Sequence, residues 1–204
     1  LTYSWLSVGA GYTYNKYNIE WCVTLYNNED IGFLRNINFD HSQSAYATIV
    51  ASPKFGWYQP TFEVDYQQQF FNASDYGASR DLNRPGFTFS IRNRLVFPHD
   101  FTAMVNFRHS TARYSGFVRS GASSNLSVQL VKSFCNKLWT IDLRINDLLR
   151  TEKITMDIYG INATSGKDAY AHNRRASLTV TYNFNATRSK YKGTGAGNDE
   201  KRRL

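Results

Sequence analysis

Apolar and polar residues alternate with a period of two along most of the chain, the mark of strands with one buried face. Leu6, Val8, Ala10, Tyr12 and Tyr14 share one face, and Ser7, Gly9, Gly11 and Thr13 the other. After Asn15-Lys16 the alternation resumes, with Tyr17, Ile19, Trp21, Val23 and Leu25 against Asn18, Glu20, Cys22 and Thr24. This predicts a hairpin, strands 6–14 and 17–25 joined by a tight turn at Asn15-Lys16. A polar stretch, 27–43, reads as a loop. Further strands are predicted over 44–55, 61–71, 87–97, 101–107, 126–134, 139–145 and 175–184. Ile154, Met156 and Ile158 also alternate, so the long segment 147–173 holds a candidate extra extended piece. The expectation is about nine strands, each near the ten residues that a tilted membrane strand needs.

Short and long connections alternate along the chain, as they do in outer-membrane barrels with short periplasmic turns and longer extracellular loops. Asn15-Lys16, 56–60, 98–100 and Asn136-Lys137 are then expected to face the periplasm. The loops holding Asn28, Ser79, Gly116 and Ser165 are expected outside, with the C-terminus in the periplasm. An odd strand count starts the first strand outside, so 6–14 is expected to carry an unpaired edge beside a partner that this chain does not contain. Large rings gather at the predicted short-turn ends: Tyr12, Tyr14, Tyr17, Phe55, Trp57, Phe97, Phe101, Phe134, Trp139, Tyr182 and Phe184. Such rings favour a membrane–water boundary. Phe70, Phe87, Phe89 and Phe107 fall near the other rim. A soluble β-sandwich explains the alternation, but it explains the turn asymmetry and the aromatic belts less well.

Composition narrows this further. Aromatic residues make up 16% of the chain, mostly Tyr and Phe. The mean hydropathy of −0.49 decides nothing, because barrel strands alternate lipid-facing and lumen-facing residues. No run of eighteen or more apolar residues occurs, which excludes a membrane-spanning helix. The chain opens at Leu1 without an initiator Met or a signal peptide, which fits a mature, truncated or excised segment. Much of the net charge of +8 lies in the tail, which reads as a solvated end and not as a nucleic-acid surface. Cys22 and Cys135 have no metal-ligand spacing and read as two free thiols buried in a wall.

The stretch Ser177-Leu-Thr-Val-Thr-Tyr-Asn-Phe-Asn185, then Ser189-Lys-Tyr-Lys-Gly-Thr-Gly-Ala-Gly197 and the ending Glu200-Lys-Arg-Arg-Leu204 resemble the end of the Bacteroidetes outer-membrane β-barrel family, which is related to TonB-dependent receptors. Ser52-Pro53 before Trp57 and Pro60, Leu82-Asn83-Arg84-Pro85-Gly86-Phe87 and Ile145-Asn146-Asp147-Leu148-Leu149 fit the same resemblance. The fold expectation is all-β, the C-terminal portion of a large antiparallel transmembrane β-barrel, as an open sheet. Residues 1–185 would supply its strands and 186–204 a periplasmic tail. The resemblance implies a barrel of about twenty-two strands around a plug domain of the same full-length chain. It also implies outer-membrane lipid as surroundings, with a TonB complex and a surface lipoprotein as candidate partners.

No catalytic constellation stands out, and no metal or cofactor is expected. His41, His99, His109 and His172 are scattered, and the glycines of 193–197 lack the strand and helix that a phosphate loop needs. The informative charges are Glu63 and Asp65 on one strand and Arg92 and Arg94 on its neighbour, read as a lumen-facing ladder. Matching Phe70 with Phe87 predicts Tyr66 opposite Ile91, Phe62 opposite Leu95, Asp65 opposite Arg92 and Glu63 opposite Arg94. Tyr182 and Phe184 read as an insertion signal. Three functions fit this frame: a TonB-dependent type of transporter, an open diffusion porin, and a surface protein using its loops for binding.

Overall fold

The computed structural model describes residues 5–25, 32–70, 82–161, 164–170 and 173–184, and it is all β there. Its strands are β1 (Leu6–Leu25), β2 (Gly32–Ala51), β3 (Tyr58–Phe70), β4 (Gly86–Phe97), β5 (Phe101–Ser110), β6 (Arg113–Ser115), β7 (Val118–Ser120), β8 (Ser123–Phe134), β9 (Trp139–Asn146), β10 (Lys153–Ile161), β11 (Thr164–Tyr170) and β12 (Arg175–Tyr182). Eight of them form an antiparallel wall in the order β12-β9-β8-β5-β4-β3-β2-β1. The sheet is open: β12 pairs with β9, and no ladder joins it to β1. The predicted loops holding Asn28 and Ser79, and the tail motifs beyond Phe184, lie outside the described residues.

The count of nine is corrected to twelve, and the reason starts in the first hairpin. Asn15-Lys16 is not a turn. β1 runs through it as one strand and pairs with β2 over its whole length, from Leu6 opposite Ala51 to Leu25 opposite Gly32. The switch of phase that resembled a turn is a change of face inside a continuous strand. Tyr17 has a φ of 55° there, in the left-handed region. Asn15, Ser42 and Ser44 line the same cavity as Asn18, Glu20 and Phe39, so the face passes from odd to even residues in β1 and from even to odd in β2. The pairing is preserved across the step, from Lys16–His41 to Asn18–Phe39. The polar stretch 27–43 is therefore mostly strand. Its alternation is in the phase opposite to that of 44–51, which hides it. With an even number of wall strands, β1 starts at the short-turn rim and the odd-count argument falls, but 6–14 does carry the expected unpaired edge, since among the described residues β1 meets a second neighbour only at Val23 and Thr24.

Three short turns hold that same rim. Gly56 (φ 59°), His99 and Asp100 (62° and 56°) and Cys135, Asn136 and Lys137 (52°, 53° and 67°) are all left-handed. That handedness suits the twist of the strands they join. Lys137 of one turn lies 3.6 Å from Asp100 of the next.

The β3–β4 register also differs from expectation. Tyr66 faces Phe87, Val64 faces Phe89 and Phe62 faces Ile91, while Arg92 faces Thr61 and Arg94 faces Gln59. Arg92 is thus four residues from a position opposite Asp65. The long connection after β3 leaves this register free, and contacts at the short-turn end set it. Val96 N donates to Trp57 O at 2.7 Å, Tyr58 Oη donates to Asn93 Oδ1 at 2.8 Å, and the rings of Trp57 and Phe97 lie 6.0 Å apart. Matching Phe70 to Phe87 would put the two short turns out of level. The displacement is even, so no side chain changes face.

The remaining strands make a layer at the long-connection rim. β6 and β7 form a hairpin, β10 pairs with β7 and β11, and β10 runs parallel to β1 at Val23–Gly160 and Thr24–Ile161. β10 includes the alternating Ile154, Met156 and Ile158. The buried apolar cluster of the described residues sits under this layer: Cys22, Phe39, Leu82, Phe117 and Tyr159, flanked by Ile37 and Tyr114.

Candidate functional site

The wall has two chemically distinct faces. Phe62, Val64, Phe87, Phe89, Ile91, Leu178, Val180 and Tyr182 are exposed on one of them. Each pairs across strands with another residue of that face: Tyr66 with Phe87, Leu178 with Leu143, Val180 with Ile141. The opposite face carries Glu63, Asp65, Gln67, Thr88, Ser90, Arg92, Arg94, Asn106 and Arg108. The registers bring these residues into facing rows. β4 has twelve residues. At about 3.4 Å each it is long enough to cross an apolar band of about 25 Å at the usual tilt.

Of the four charges singled out from the sequence, the structure joins two. Arg92 Nη2 donates to Glu63 Oε2 at 2.7 Å, a diagonal contact in the observed register. Asp65 accepts from Thr48 Oγ1 at 2.8 Å, and Arg94 Nη1 donates to Gln59 Oε1 at 3.4 Å. Further along this face Gln129 Nε2 donates to both oxygens of Asp142 (2.9 and 2.8 Å), and Arg144 lies 3.7 Å from Asp142. Arg92 is more than half exposed, so its ion pair adds little stability.

The rings divide between two levels. At the short-turn rim Trp57, Phe97 and Phe101 form a chain at 6.0 and 5.5 Å, with Phe55 6.2 Å from Tyr58. Trp139 packs on Tyr182 at 4.5 Å, and Tyr182 on Phe184 at 4.6 Å. Phe134 pairs with Trp139 across β8–β9. Tyr12, Tyr14 and Tyr17 are not at this rim, because the turn that placed them there does not exist. Tyr14 shares a row with Gln43 and Phe70, nearer the opposite end. Cys22 and Cys135 are not joined to each other; Cys135 is exposed in a turn and only Cys22 is buried.

Sequence reasoning missed the clamp that seats the β6–β7 hairpin on the polar face. Gln69 is buried in the wall and acts as a strand-like partner. Its Nε2 donates to Leu82 O (2.9 Å) and Gly116 O (3.0 Å), and its Oε1 accepts from Gly116 N (2.6 Å). Gly116 has a φ of 56°, and a side chain there would meet Glu20. Phe117 then reaches Phe39, with ring centroids 5.4 Å apart. One glutamine among Gln67, Gln68 and Gln69 carries no mark of this role in the sequence. Behind the hairpin Arg119 donates to Asp157 at 2.8 Å, and this hydrogen bond raises the arginine pKa against partial desolvation. Stability from a raised pKa is lost only as pH climbs through that value, here far into the alkaline range.

Asp147 caps the turn after β9. It is fully buried, and its Oδ1 accepts from Thr151 N (2.9 Å) and Glu152 N (3.2 Å). Among the described residues no group of three or more His, Cys, Asp or Glu could hold a metal ion. What the arrangement can do is separate an apolar medium on one face from a polar, charge-lined space on the other, with a hairpin fastened into that space.

The sequence model of the outer membrane protein beta-barrel family matches residues 1–182. No curated protein matches the chain, and no solved structure does.

Proposed function

Because the chain belongs to the outer membrane protein beta-barrel family, we propose that the eight strands of its antiparallel sheet, β1–β5, β8, β9 and β12, are wall strands of a TonB-dependent-receptor-like transporter of the Bacteroidetes type, which takes up an unidentified solute. The observation that carries this reading is the division of faces: exposed Phe62, Val64, Phe87, Phe89 and Ile91 against Glu63, Asp65, Arg92 and Arg94 on the same two strands. Lipid covers the first face, and the second lines the lumen. A plug domain of the full-length chain fills that lumen and engages a TonB complex. The long connections face outward, where they meet solute and a surface lipoprotein. The short turns and the C-terminus lie in the periplasm, and the rings at the two ends sit at the lipid–water boundaries. The protein is not an enzyme on this reading.

The β6–β7 hairpin favours a gated receptor over an open porin, since Gln69 fastens Gly116 against the polar face, where it narrows the passage. Topology is testable in cells that make the full-length protein. A membrane-impermeant maleimide is expected to modify a cysteine replacing Ser165 in intact cells, and Cys135 only after the outer membrane is permeabilised. The opposite pattern refutes the orientation. Uptake is tested on the solutes whose accumulation is lost when the protein is deleted. Their entry is expected to stop in cells lacking TonB, and continued entry favours the porin.

A further inference from the structure

We propose that the polar face carries a cationic track that binds solutes bearing several phosphate or carboxylate groups. The inference rests on reading that face as the lumen and names the substrate class. Arg94 and Arg92 stand two residues apart on β4, about 7 Å along the strand. Arg108 faces Ser90, one step further, and Arg113 lies against Gly86, where an added Cβ would meet its own. Lys54 extends the series at the short-turn end, in the same cavity as Arg92 and Arg94. From Arg94 to Gly86 the strand spans about 27 Å, close to the thickness of a membrane's apolar band.

The spaces beside these cations adjoin one another through shared lining residues. A cavity of about 350 Å³ holds Lys54, Arg92 and Arg94. It shares Arg92 and Asn106 with one of about 300 Å³, which shares Arg108 with a third of about 210 Å³ that also holds Arg113. The acids nearby offset the series only in part: Glu63, Asp65 and Glu152 stand against Lys54, Arg92, Arg94, Arg108 and Arg113, and of the three acids only Glu63 makes an ion pair with a member of the series. Among the described residues Lys54, Arg94, Arg108 and Arg113 have no carboxylate within 4.0 Å. A wall built for stability alone sets opposite charges against each other, as Arg144 and Asp142 are set on the same face. Unpaired guanidinium groups in a row along a lumen repel one another and attract anions, and their forked donors match phosphate and carboxylate oxygens. Asn106, Ser90 and Ser127 supply neutral hydrogen-bonding groups between them.

The test uses the full-length protein in phosphatidylcholine nanodiscs, with calorimetric titration of inorganic tripolyphosphate and of maltotriose as an uncharged control. Tripolyphosphate is expected to bind, more weakly as salt rises, and maltotriose not to. The double variant Arg94→Gln with Arg108→Gln is expected to weaken binding about tenfold or more, whereas Arg94→Lys with Arg108→Lys keeps most of it. Arg144→Gln is expected to change it less than about twofold. Insertion is followed in the same samples by heat-modifiable gel mobility, and Arg94→Gln alone replaces the double variant if that one fails to insert. Inserted protein that ignores tripolyphosphate overturns the track while leaving the barrel reading intact; an acidic protein segment lying in the track gives this result. Equal losses in Arg144→Gln and the double variant also overturn it. Failure of the unaltered protein to insert overturns the membrane reading itself.

Discussion

At the scale of single residues, two glycines show how the surroundings decide the cost of one methyl group. A Cβ at Gly160 falls on the backbone carbonyl of Val23, where β10 runs beside β1, and neither backbone can yield without losing the pairing. A Cβ at Gly11 meets only the far end of the Tyr46 ring, which faces it across β1–β2 and can swing away. Gly160→Ala is therefore expected to destabilise the rim layer by about 2–3 kcal/mol and Gly11→Ala by under about 1 kcal/mol. Urea titration in micelles, followed by hydrogen exchange at β10 and β2, checks both. Gln69→Ala leaves the buried N–H and C=O of Gly116 and the carbonyl of Leu82 without their side-chain partner. Each such loss costs about 1–3 kcal/mol. Faster exchange confined to β6 and β7 is expected, with β3 and β4 unchanged; uniform loosening of the wall would contradict the clamp.

At the scale of elements, the first hairpin holds a test of its own. β1 and β2 change face at the same level, around Tyr17 and Asp40, so their pairing survives the step. Deleting Tyr17 alone puts the two halves one residue out of register and turns one half inside out. Deleting Tyr17 together with Asp40 is expected to leave a regular hairpin. Cysteine pairs at Gly9–Thr48 and at Thr24–Phe33 are expected to cross-link in the parent and in the double deletion, and one of the two pairs to fail in the single deletion. This step also shows where the sequence was readable. Within each uniform half, alternation placed Leu6, Val8, Ile19 and Trp21 on their strands, and it placed β3, β4, β5, β8, β9 and β12 nearly to their ends. What it could not carry was a phase change that costs no residue, because Asn15-Lys16 offers the same polar pair that a tight turn uses. The β3–β4 register was equally hidden. Apolar matches are nearly degenerate under an even displacement, and contacts at Trp57 and Asn93 break the tie. The charged face was legible as a face from Glu63, Asp65, Arg92 and Arg94. Arg108 and Arg113 joined it only once β5 and β6 were placed.

At the scale of the whole molecule, the two faces predict opposite responses to one substitution. Arginine in place of Val64 or Phe89, exposed on the apolar face, is expected to cost about 2–4 kcal/mol in lipid, and arginine in place of Gln67, exposed on the polar face, under about 1 kcal/mol. Folding into phosphatidylcholine vesicles at graded urea measures the difference, and equal costs would remove the lipid from the apolar face. The contact between β10 and β1 carries a further consequence, which concerns time. Val23 and Gly160 are partners, though nearly the whole wall separates them along the chain. Neighbouring hairpins such as β4–β5 and β8–β9 close short loops and form early, whereas a contact between such distant segments waits until the intervening chain is ordered. The rim layer is thus the last part to set. Until it does, the Cys22 thiol has no cover from Phe117 and Tyr159. Protection of that thiol during refolding therefore works as a clock for the final step, and it should lag the appearance of β structure.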